Sequence, residues 1–264
     1  MENKIIFNEK WLSWFIGFTD AEGNFQTYPK KRVLTSGELA RYNVGYGFHL
    51  SLHKRDIEIL KDIKSKLNKG VIYEYKDKPD SRLAVNKKFE LVYLIENIFD
   101  KYSLVTKNQL IRYQLLRYGI INNITEFKSL EEYQEYKSKY LLSITNQIEL
   151  QKVKTSVDID NWIIGFINGE GCFYLNKNKC NFFIEHTDKQ ALEIIKNRLS
   201  FGPNVLERSS RDRDIGKIRK ITYQLIVSSK KDLESLIILL DNKENIPLQG
   251  NKYIQYIEWK QYIK

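Results

Sequence analysis

One twelve-residue phrase occurs twice in this chain of 264 residues. Residues 14–25 (WFIGFTDAEGNF) and 162–173 (WIIGFINGEGCF) share seven identical positions at a spacing of 148 residues. Because such self-similarity indicates a duplicated structural unit, we expect two halves of about 130 residues, each large enough to bury its own core. Both copies read as an apolar helix that ends in a glutamate followed by glycine. The duplication therefore predicts two symmetry-related carboxylates, Glu22 and Glu170, which can hold metal ions between them.

The balance of charge indicates a polyanionic partner. Lysine and arginine number 43 against 33 aspartate and glutamate, which gives a net charge of +10 and a pI near 9.3. A basic chain rich in aromatic residues is typical of nucleic-acid binding. A merely soluble basic surface is the alternative that charge alone leaves open.

Cysteine content and hydropathy exclude several classes of protein. Only Cys172 and Cys180 occur, without the paired spacing or histidine partners of a zinc site, so neither a disulfide scaffold nor structural zinc is expected. No apolar run approaches membrane-spanning length, so we expect a soluble intracellular chain with no membrane partner. Heavy use of Lys, Asn, Ile and Tyr favours an A+T-rich coding source, such as a mitochondrial or other organellar genome.

Small residues mark one stripe of each repeated helix. Gly17 lies between Ser13 and Ala21 at helical spacing, and Gly165 recurs at the matching position. A glycine inside a helix costs about 1 kcal/mol relative to alanine, so two equivalent glycines indicate a compensating close approach of helix backbones. We expect the two repeated helices to pack on each other.

The pattern after each Glu-Gly changes from helical to alternating. Residues 42–53 predict a strand with one buried face and one open, hydrogen-bonding face, and the same order of elements recurs in the second half. Residues 125–154 predict a charged, partly helical connector. The expected organisation is an N-terminal repeat over 1–124, the connector over 125–154, and a C-terminal repeat over 155–264. The further predicted elements are helices near 56–67, 89–99, 107–118, 189–199, 231–240 and 251–262, a hairpin over 70–85, a hairpin around 176–178, and strands near 204–208 and 219–227.

These residues resemble the LAGLIDADG homing endonucleases in their single-chain, two-repeat form. Residues 15–23 are similar to the first family motif and residues 163–171 to the second. The resemblance implies an α+β fold of two pseudo-symmetric αββαββα repeats, which form a saddle of antiparallel sheets over DNA with two central motif helices packed together. It also implies a monomer.

The resemblance assigns divalent metal binding to the acidic residue of each motif, Glu22 and Glu170, and further metal ligation to the carbonyls of Ala21 and Gly169. The chemistry agrees, because phosphodiester hydrolysis needs a nucleophilic water and a stabilised leaving oxygen, which Mg²⁺ supplies. Mn²⁺ is expected to substitute, and Ca²⁺ to bind without supporting cleavage. A lone glutamate at a helix end is usually a solvated acid. Two that oppose the helix dipole indicate a bound cation.

Other candidate catalytic residues rest on position alone. Lys87–Lys88 and Lys230–Lys231 follow the fourth strand of each half, and Lys230 or Lys231 is a candidate for stabilising developing charge; a solvated helix start is the alternative. Glu185 lies where the family places a polar active-site residue. Asn168 replaces the aspartate of the first motif, Asp20, so we expect reduced symmetry there.

Recognition of DNA is expected from the exposed faces of the first strands in each half, because Asn, Gln and Arg read base edges in the major groove. The candidates in the first half are Asn24, Gln26, Tyr28, Lys30, Arg32, Arg41, Asn43, His49 and Arg82. The candidates in the second half are Tyr174, Asn176, Lys177, Lys179, Asn181, Phe183, Arg208, Arg211 and Arg213.

The predicted function is that of a site-specific homing endonuclease. It would bind a long, non-palindromic double-stranded DNA target and hydrolyse one phosphodiester on each strand with divalent metal. The alternative is an intron RNA maturase, a splicing cofactor on the same fold, and a non-catalytic DNA binder ranks below both. Retention of both carboxylates favours cleavage.

Overall fold

A computed structural model describes residues 7–37, 39–150, 156–176, 179–208 and 221–263. The chain divides into two compact units. The N-terminal unit comprises residues 22–156, and the C-terminal unit comprises residues 157–264 together with residues 1–21. The first helix, α1 (Glu9–Glu22), therefore belongs to the C-terminal unit over nearly its whole length.

The N-terminal unit is built on an antiparallel sheet with strand order β1-β2-β4-β3, and β5 pairs with the far end of β2. A 3₁₀ turn at Lys54–Asp56 precedes α2, and a π-helical turn at Ile95–Phe99 follows α3. The strands are β1 (Gly23–Val33), β2 (Leu39–His53), β3 (Val71–Glu74), β4 (Asp80–Val85) and β5 (Glu126–Phe127), and the helices are α2 (Ile57–Leu67), α3 (Lys88–Leu94), α4 (Lys107–Ile121) and α5 (Leu130–Leu150).

The C-terminal unit repeats this plan with an antiparallel sheet of order β6-β7-β9-β8. Its strands are β6 (Gly171–Asn176), β7 (Lys179–His186), β8 (Leu206–Arg208) and β9 (Thr222–Val227), and its helices are α6 (Ile159–Glu170), α7 (Lys189–Leu199), α8 (Lys230–Asp241) and α9 (Gly250–Lys260), besides α1. No described helix combines the length and the apolarity needed to cross a membrane.

Each sheet packs against an aromatic cluster, and the two clusters are equivalent. In the N-terminal unit, Phe25 contacts Phe48 and Tyr113 with ring centroids 5.0 and 5.4 Å apart. In the C-terminal unit, Phe173 contacts Phe182 and Tyr256, both with centroids 5.4 Å apart. Aromatic pairs of this geometry contribute about 0.5–1.5 kcal/mol each beyond the area that they bury. The repeat in sequence is thus a repeat in packing.

A polar clamp also recurs in both units. Asp100 accepts hydrogen bonds from the hydroxyl of Tyr113 and from Arg117, whose Nε lies 2.7 Å away. Asp241 accepts from the Tyr256 hydroxyl at 2.8 Å and from the Lys260 ammonium. Each clamp ties the last helix of the repeat fold to the preceding helical segment. Burial raises the pKa of both tyrosines, so their hydroxyls stay protonated donors.

Within the described residues the sequence predictions of element type are confirmed, and the differences are local; the hairpin turn at 177–178, residues 219–220 and residues 151–154 lie outside them. The predicted helix over 89–99 divides into α3 and the π-helical turn. Within the predicted connector, β5 joins the sheet through β2, and α5 runs for 21 residues. The predicted open face of the strand over 42–53 is closed in part, because Gly47 and His49 are buried.

Candidate functional site

Two glycines set the contact between α1 and α6. A Cβ atom added at Gly17 would overlap the carbonyl group of Trp162, 2.8 Å from its carbon, and one added at Gly165 would lie 2.8 Å from the carbonyl carbon of Trp14. Side chains at either position would force the backbones apart. The close approach predicted from the small-residue stripe is confirmed, and it is pseudo-symmetric.

The two motifs differ at the position of Asp20 and Asn168. Asp20 Oδ2 accepts a hydrogen bond from Trp162 Nε1 at 2.9 Å. Asn168 Oδ1 instead accepts from the backbone N–H of Gln249 at 2.6 Å, at the start of α9. The indole nitrogen of Trp14 is buried without a hydrogen-bond partner among the described residues. The expected loss of symmetry is therefore a change of partner.

Glu22 and Glu170 are the last residues of α1 and α6, each five residues beyond the close-packed glycine, and each is half-buried. The chain then passes directly into a strand, β1 or β6. Because the last four carbonyls of a helix have no intrahelical partner, the carbonyl oxygens of Ala21 and Gly169 have no acceptor role within their own helices. Each repeat thus offers a carboxylate and adjacent carbonyl oxygens.

The glycine after each glutamate is held, through its backbone carbonyl, by a side chain from the last helix of its repeat. Gln109 Nε2 donates to the carbonyl of Gly23, and Lys252 Nζ donates to the carbonyl of Gly171. The Oε1 atom of Gln109 is buried without a partner among the described residues. Sequence reasoning missed both anchors, although they hold matching positions in two similar segments, residues 108–113 (NQLIRY) and 251–256 (NKYIQY).

These donors fit a hard divalent cation. Carboxylate and carbonyl oxygens are the ligands that Mg²⁺ and Ca²⁺ take in proteins, with water completing the shell. The unpartnered Gln109 Oε1 beside Gly23 supplies a further acceptor for such a water. No group of three or more His, Cys, Asp or Glu side chains suited to a metal occurs in the described part of the chain, so any site here is shared with water or substrate.

Glu185 lies on β7, one residue beyond Ile184. Ile184 pairs with Gly171 at the end of the β6–β7 ladder, so Glu185 and Glu170 are the residues that flank this last pair. The Glu185 carboxylate is held at 2.7 Å by the Thr222 hydroxyl and at 3.1 Å by Arg208. The registers make Ser51 the counterpart of Glu185 in the N-terminal unit, and its hydroxyl accepts a hydrogen bond from Arg82 Nε at 3.0 Å.

Lys230 and Lys231 lie exposed in the first turn of α8, after the Ser229 N-cap. The strand registers, Phe48 with Val85 and Phe182 with Val227, make Lys230 the counterpart of Lys88. The sequence indicated that the two lysine pairs hold equivalent places, but the registers offset them by one residue.

The predicted DNA-contact residues of the N-terminal unit share one face of the sheet. The strand register pairs Asn24 with His49, Lys30 with Asn43 and Arg32 with Arg41. Gln26 and Tyr28 lie on this same face, between Asn24 and Lys30 on β1. This face is opposite Phe25 and Phe48. Arg41 is ion-paired with Glu126.

His49 differs from the other residues of this face because it is only 8% exposed. Its Nε2 lies 2.9 Å from Asn86 Oδ1, and a Cβ added at Gly47 would be 2.9 Å from the same nitrogen. Burial lowers the pKa of His49, so the ring is neutral at pH 7. The His49 ring therefore packs beside Gly47 and Asn86 and is not exposed on this face.

The C-terminal unit brings together its own predicted set. Asn176 pairs with Lys179 and Tyr174 with Asn181, and Phe183 follows on the same face. Asn181 is buried and donates to the Lys179 carbonyl at 2.9 Å. Cys172, which sequence reasoning did not select, is exposed and pairs with Phe183. Lys177, Arg211 and Arg213 lie outside the described residues.

Comparison with protein families identifies both halves. The sequence profile of the LAGLIDADG endonuclease family matches twice, over residues 15–120 and 163–263. A probable intron-encoded endonuclease 2 of Neurospora crassa is 23% identical over 94% of this chain and 59% of its own length. A probable intron-encoded endonuclease aI3 of Kluyveromyces lactis is 25% identical over 93% of this chain and 63% of its own. The chain thus spans about 60% of these two relatives.

Solved structures share the fold. The homing endonuclease I-LtrWI, in a crystal structure with its target DNA, aligns with a TM-score of 0.70 at 22% identity over 97% of this chain and 90% of its own. I-CpaMI, bound to uncleaved DNA, aligns with a TM-score of 0.67 at 20% identity, with the same coverage of both chains. These matches confirm the antiparallel α+β architecture predicted from the sequence.

Proposed function

Because this chain belongs to the LAGLIDADG endonuclease family, we propose that it is a site-specific homing endonuclease. It binds a long, non-palindromic double-stranded DNA target as a monomer and hydrolyses one phosphodiester on each strand. One observation carries the proposal: two helices with matched glycine contacts each end in a glutamate followed by a strand.

The reaction proposed for this chain depends on Mg²⁺. Glu22 and Glu170, with the carbonyls of Ala21 and Gly169, would hold the metal, which supplies Lewis-acid stabilisation of charge and a water of lowered pKa. Gln109 and Lys252 fix the peptide that follows each glutamate. Lys252 also brings a positive charge to the end of α6, where negative charge develops on the phosphate. Calcium ions accompany uncleaved DNA in a structure of I-SmaMI, a further fold relative.

Recognition of the target is assigned to the two sheet faces. The ribbons β1–β2 and β6–β7 present amide, aromatic and basic side chains at alternate positions, and a two-stranded ribbon fits the major groove. The two ribbons differ in sequence, so the half-sites differ. The DNA-bound relatives and the net charge of +10 support this assignment.

The experiment that tests this proposal is cleavage of a target-site library by the wild-type protein and by Glu22→Gln and Glu170→Gln. We expect double-strand cuts with Mg²⁺ or Mn²⁺, none with Ca²⁺, and none from either variant, while both variants still bind. Glu9→Gln, at the exposed other end of α1, is the matched control and should cut normally. Double-strand cutting by either test variant would overturn the assignment.

Maturase activity is the second candidate, favoured by the intron-encoded relatives. It requires the fold and charge but not the carboxylates, so Glu22→Gln would still support splicing of the host intron RNA. A splicing assay with Glu22→Gln therefore separates cleavage from splicing.

A mitochondrial location is also proposed from a relative, since a mitochondrial protein of Saccharomyces cerevisiae, RF1, is 29% identical over 71% of this chain.

A further inference from the structure

The sheet of the N-terminal unit has a notch along one edge of β2. On that side, β4 pairs with β2 only from Phe48 onward, and β5 pairs with it only as far as Asn43. A cavity of about 350 Å³ opens at the notch between these two strands. Sites for small organic ligands typically have about 300–1,000 Å³, so the volume suits one small organic ligand.

Part of the wall of this cavity is formed by aromatic and apolar residues that are packed in place. The ring of Tyr28 lies over Gly45, where an added Cβ would be 2.6 Å from the ring. The Tyr46 hydroxyl donates to the Ile124 carbonyl at 2.7 Å and occupies the space left by Gly119, which has no side chain. Both rings are therefore packed in one position without a ligand, which lowers the ordering cost of binding.

Two lysines and two asparagines contribute polar groups to the lining. Lys88 Nζ lies 2.6 Å from Asn123 Oδ1, so the amide NH₂ of Asn123 is directed away from the lysine, and two ammonium hydrogens of Lys88 remain. Asn86 directs its oxygen at His49, 2.9 Å away, and Lys30 lies 5.2 Å from the centre of the Tyr28 ring. No lining side chain is acidic. Such a lining selects an anion.

We propose that this cavity binds a nucleoside monophosphate, with the base against Tyr28 and the apolar wall and the phosphate on Lys30 and Lys88. Aromatic faces stack on any base, and amide NH₂ groups suit its acceptor edges. The ligand is a free nucleotide or one unstacked nucleotide of a bound DNA strand. The site goes beyond the proposed cleavage and does not depend on it.

Calorimetric titration of the full-length protein without DNA tests the site with AMP, GMP, CMP and TMP as probes. At least one should bind saturably, while inorganic phosphate and ribose 5-phosphate, which lack the base, should bind tenfold or more weakly. Equal affinity for ribose 5-phosphate and the monophosphates, or no saturable binding of any monophosphate, overturns the proposal.

Two matched lysine variants locate the site. Lys88→Gln removes a cation of the lining and should weaken binding about tenfold or more. Lys87→Gln makes the same charge change one residue away, outside the cavity lining, and should leave binding unchanged. Equal weakening by both variants would mean a diffuse charge effect and no site.

A third variant avoids the risk of misfolding. Asn123 has a left-handed backbone with φ 53°, which glycine adopts without strain, so Asn123→Gly removes the anchor of Lys88 while keeping the fold. It should weaken the same monophosphate. Retained affinity in both Asn123→Gly and Lys88→Gln would refute the site.

Random-sequence duplex DNA at low salt distinguishes the two sources of ligand. If the duplex displaces the monophosphate, the site takes a nucleotide of the bound strand. If both bind together, the site takes a free nucleotide. Each result supports the cavity as a nucleotide site, and neither requires cleavage.

Discussion

Lys252 is the single residue that most distinguishes the two proposed metal sites. The N-terminal repeat uses a neutral amide, Gln109, to hold the peptide after its glutamate, whereas the C-terminal repeat uses an ammonium group. We predict that Lys252→Ala slows cleavage of the strand served by Glu170 about a hundredfold. Strand-resolved kinetics on an end-labelled duplex measure this effect.

The conservative variant separates charge from anchoring. Lys252→Gln copies the first repeat and should restore part of the lost rate, because it can still donate to the Gly171 carbonyl. Lys243→Ala, which removes an exposed lysine from the loop before α9, should leave both strand rates unchanged. Equal slowing of both strands by Lys252→Ala would point to a general loss of fold instead.

His186 makes the stability of the C-terminal unit depend on pH. Its Nδ1 accepts the Asp188 backbone N–H at 3.0 Å, its ring edge meets Phe166, and burial lowers its pKa from the ordinary 6.5. The unfolded chain therefore takes up a proton at a higher pH than the folded chain does. Stability present above pH 6.5 is lost as the pH falls from there toward the lower folded pKa.

Urea unfolding at pH 7.5 and at pH 5.5 measures this dependence. His186→Asn keeps an oxygen that can accept the Asp188 N–H but does not titrate, so its stability should fall less between the two pH values. An identical fall in the variant and the wild type would exclude His186 as the source.

At the level of single residues, the sequence predicts the positions that are identical in both copies of the repeat. Glu22, Glu170, Gly17 and Gly165 stand out because duplication preserves them at one spacing. The anchoring role of Lys252 does not, because its partner, the Gly171 carbonyl, is 81 residues away and only the fold brings them together. The burial of His49 was equally hidden, since it depends on a side chain folding over a neighbouring glycine.

The close-packed pair α1 and α6 is the element whose geometry tolerates least change. We predict that Gly17→Ala lowers the free energy of unfolding by about 2 kcal/mol or more, because the new methyl group meets the Trp162 carbonyl. That cost exceeds the gain of about 1 kcal/mol in helix propensity. Chemical denaturation measures the difference.

Gly202→Ala is the control in the same unit. A Cβ there would meet only Asp232 Oδ2, at 3.5 Å, so stability should change little. A Gly17→Ala protein as stable as the Gly202→Ala protein would mean that the helices separate without cost.

The ribbon β6–β7 carries its own reporter of DNA contact. Cys172 is exposed on the face assigned to DNA, whereas Cys180 is buried. We predict that target DNA slows alkylation of Cys172 by N-ethylmaleimide, while Cys180 stays unreactive throughout. Mass spectrometry of the labelled peptides measures both rates. An unchanged alkylation rate under saturating DNA would remove this ribbon from the interface.

Elements were predictable where periodicity is strong. Alternation fixed β2, and the 3.6-residue period fixed α2, α7 and α9, because one face of each is buried. The π-helical turn after α3 was not predictable, since a shift of one residue in the hydrogen-bond ladder leaves the apolar pattern intact. Neither was the docking of α5, which relies on Tyr118 and Tyr140 stacking 4.0 Å apart.

For the whole molecule, a net charge of +10 predicts that binding to the proposed DNA target depends strongly on salt. Each phosphate neutralised releases a counterion, so we predict that affinity for the target falls about a thousandfold or more between about 50 mM and about 200 mM salt. Fluorescence anisotropy at several salt concentrations gives the slope. A flat response would argue against phosphate contacts as the main source of affinity.

The division of the chain into compact units was the hardest feature to anticipate. The repeat in sequence places α1 with the first half, yet α1 packs into the unit built from residues 157–264. Duplication explains this outcome, because the glycines of α1 and α6 let each helix pack closely on the other. The sequence repeat shows that the two halves are related, whereas the compact units depend on which helices fit together.

The placement of α1 has a consequence during synthesis. Helix α1 is made before α6, and Trp162, against which Gly17 packs, is added 148 residues after Trp14. At usual translation speeds that interval is about 7 to 30 seconds. For this time the nascent chain carries a stripe of tryptophan and phenylalanine on α1 that has no partner helix, so α1 is a segment in need of a chaperone.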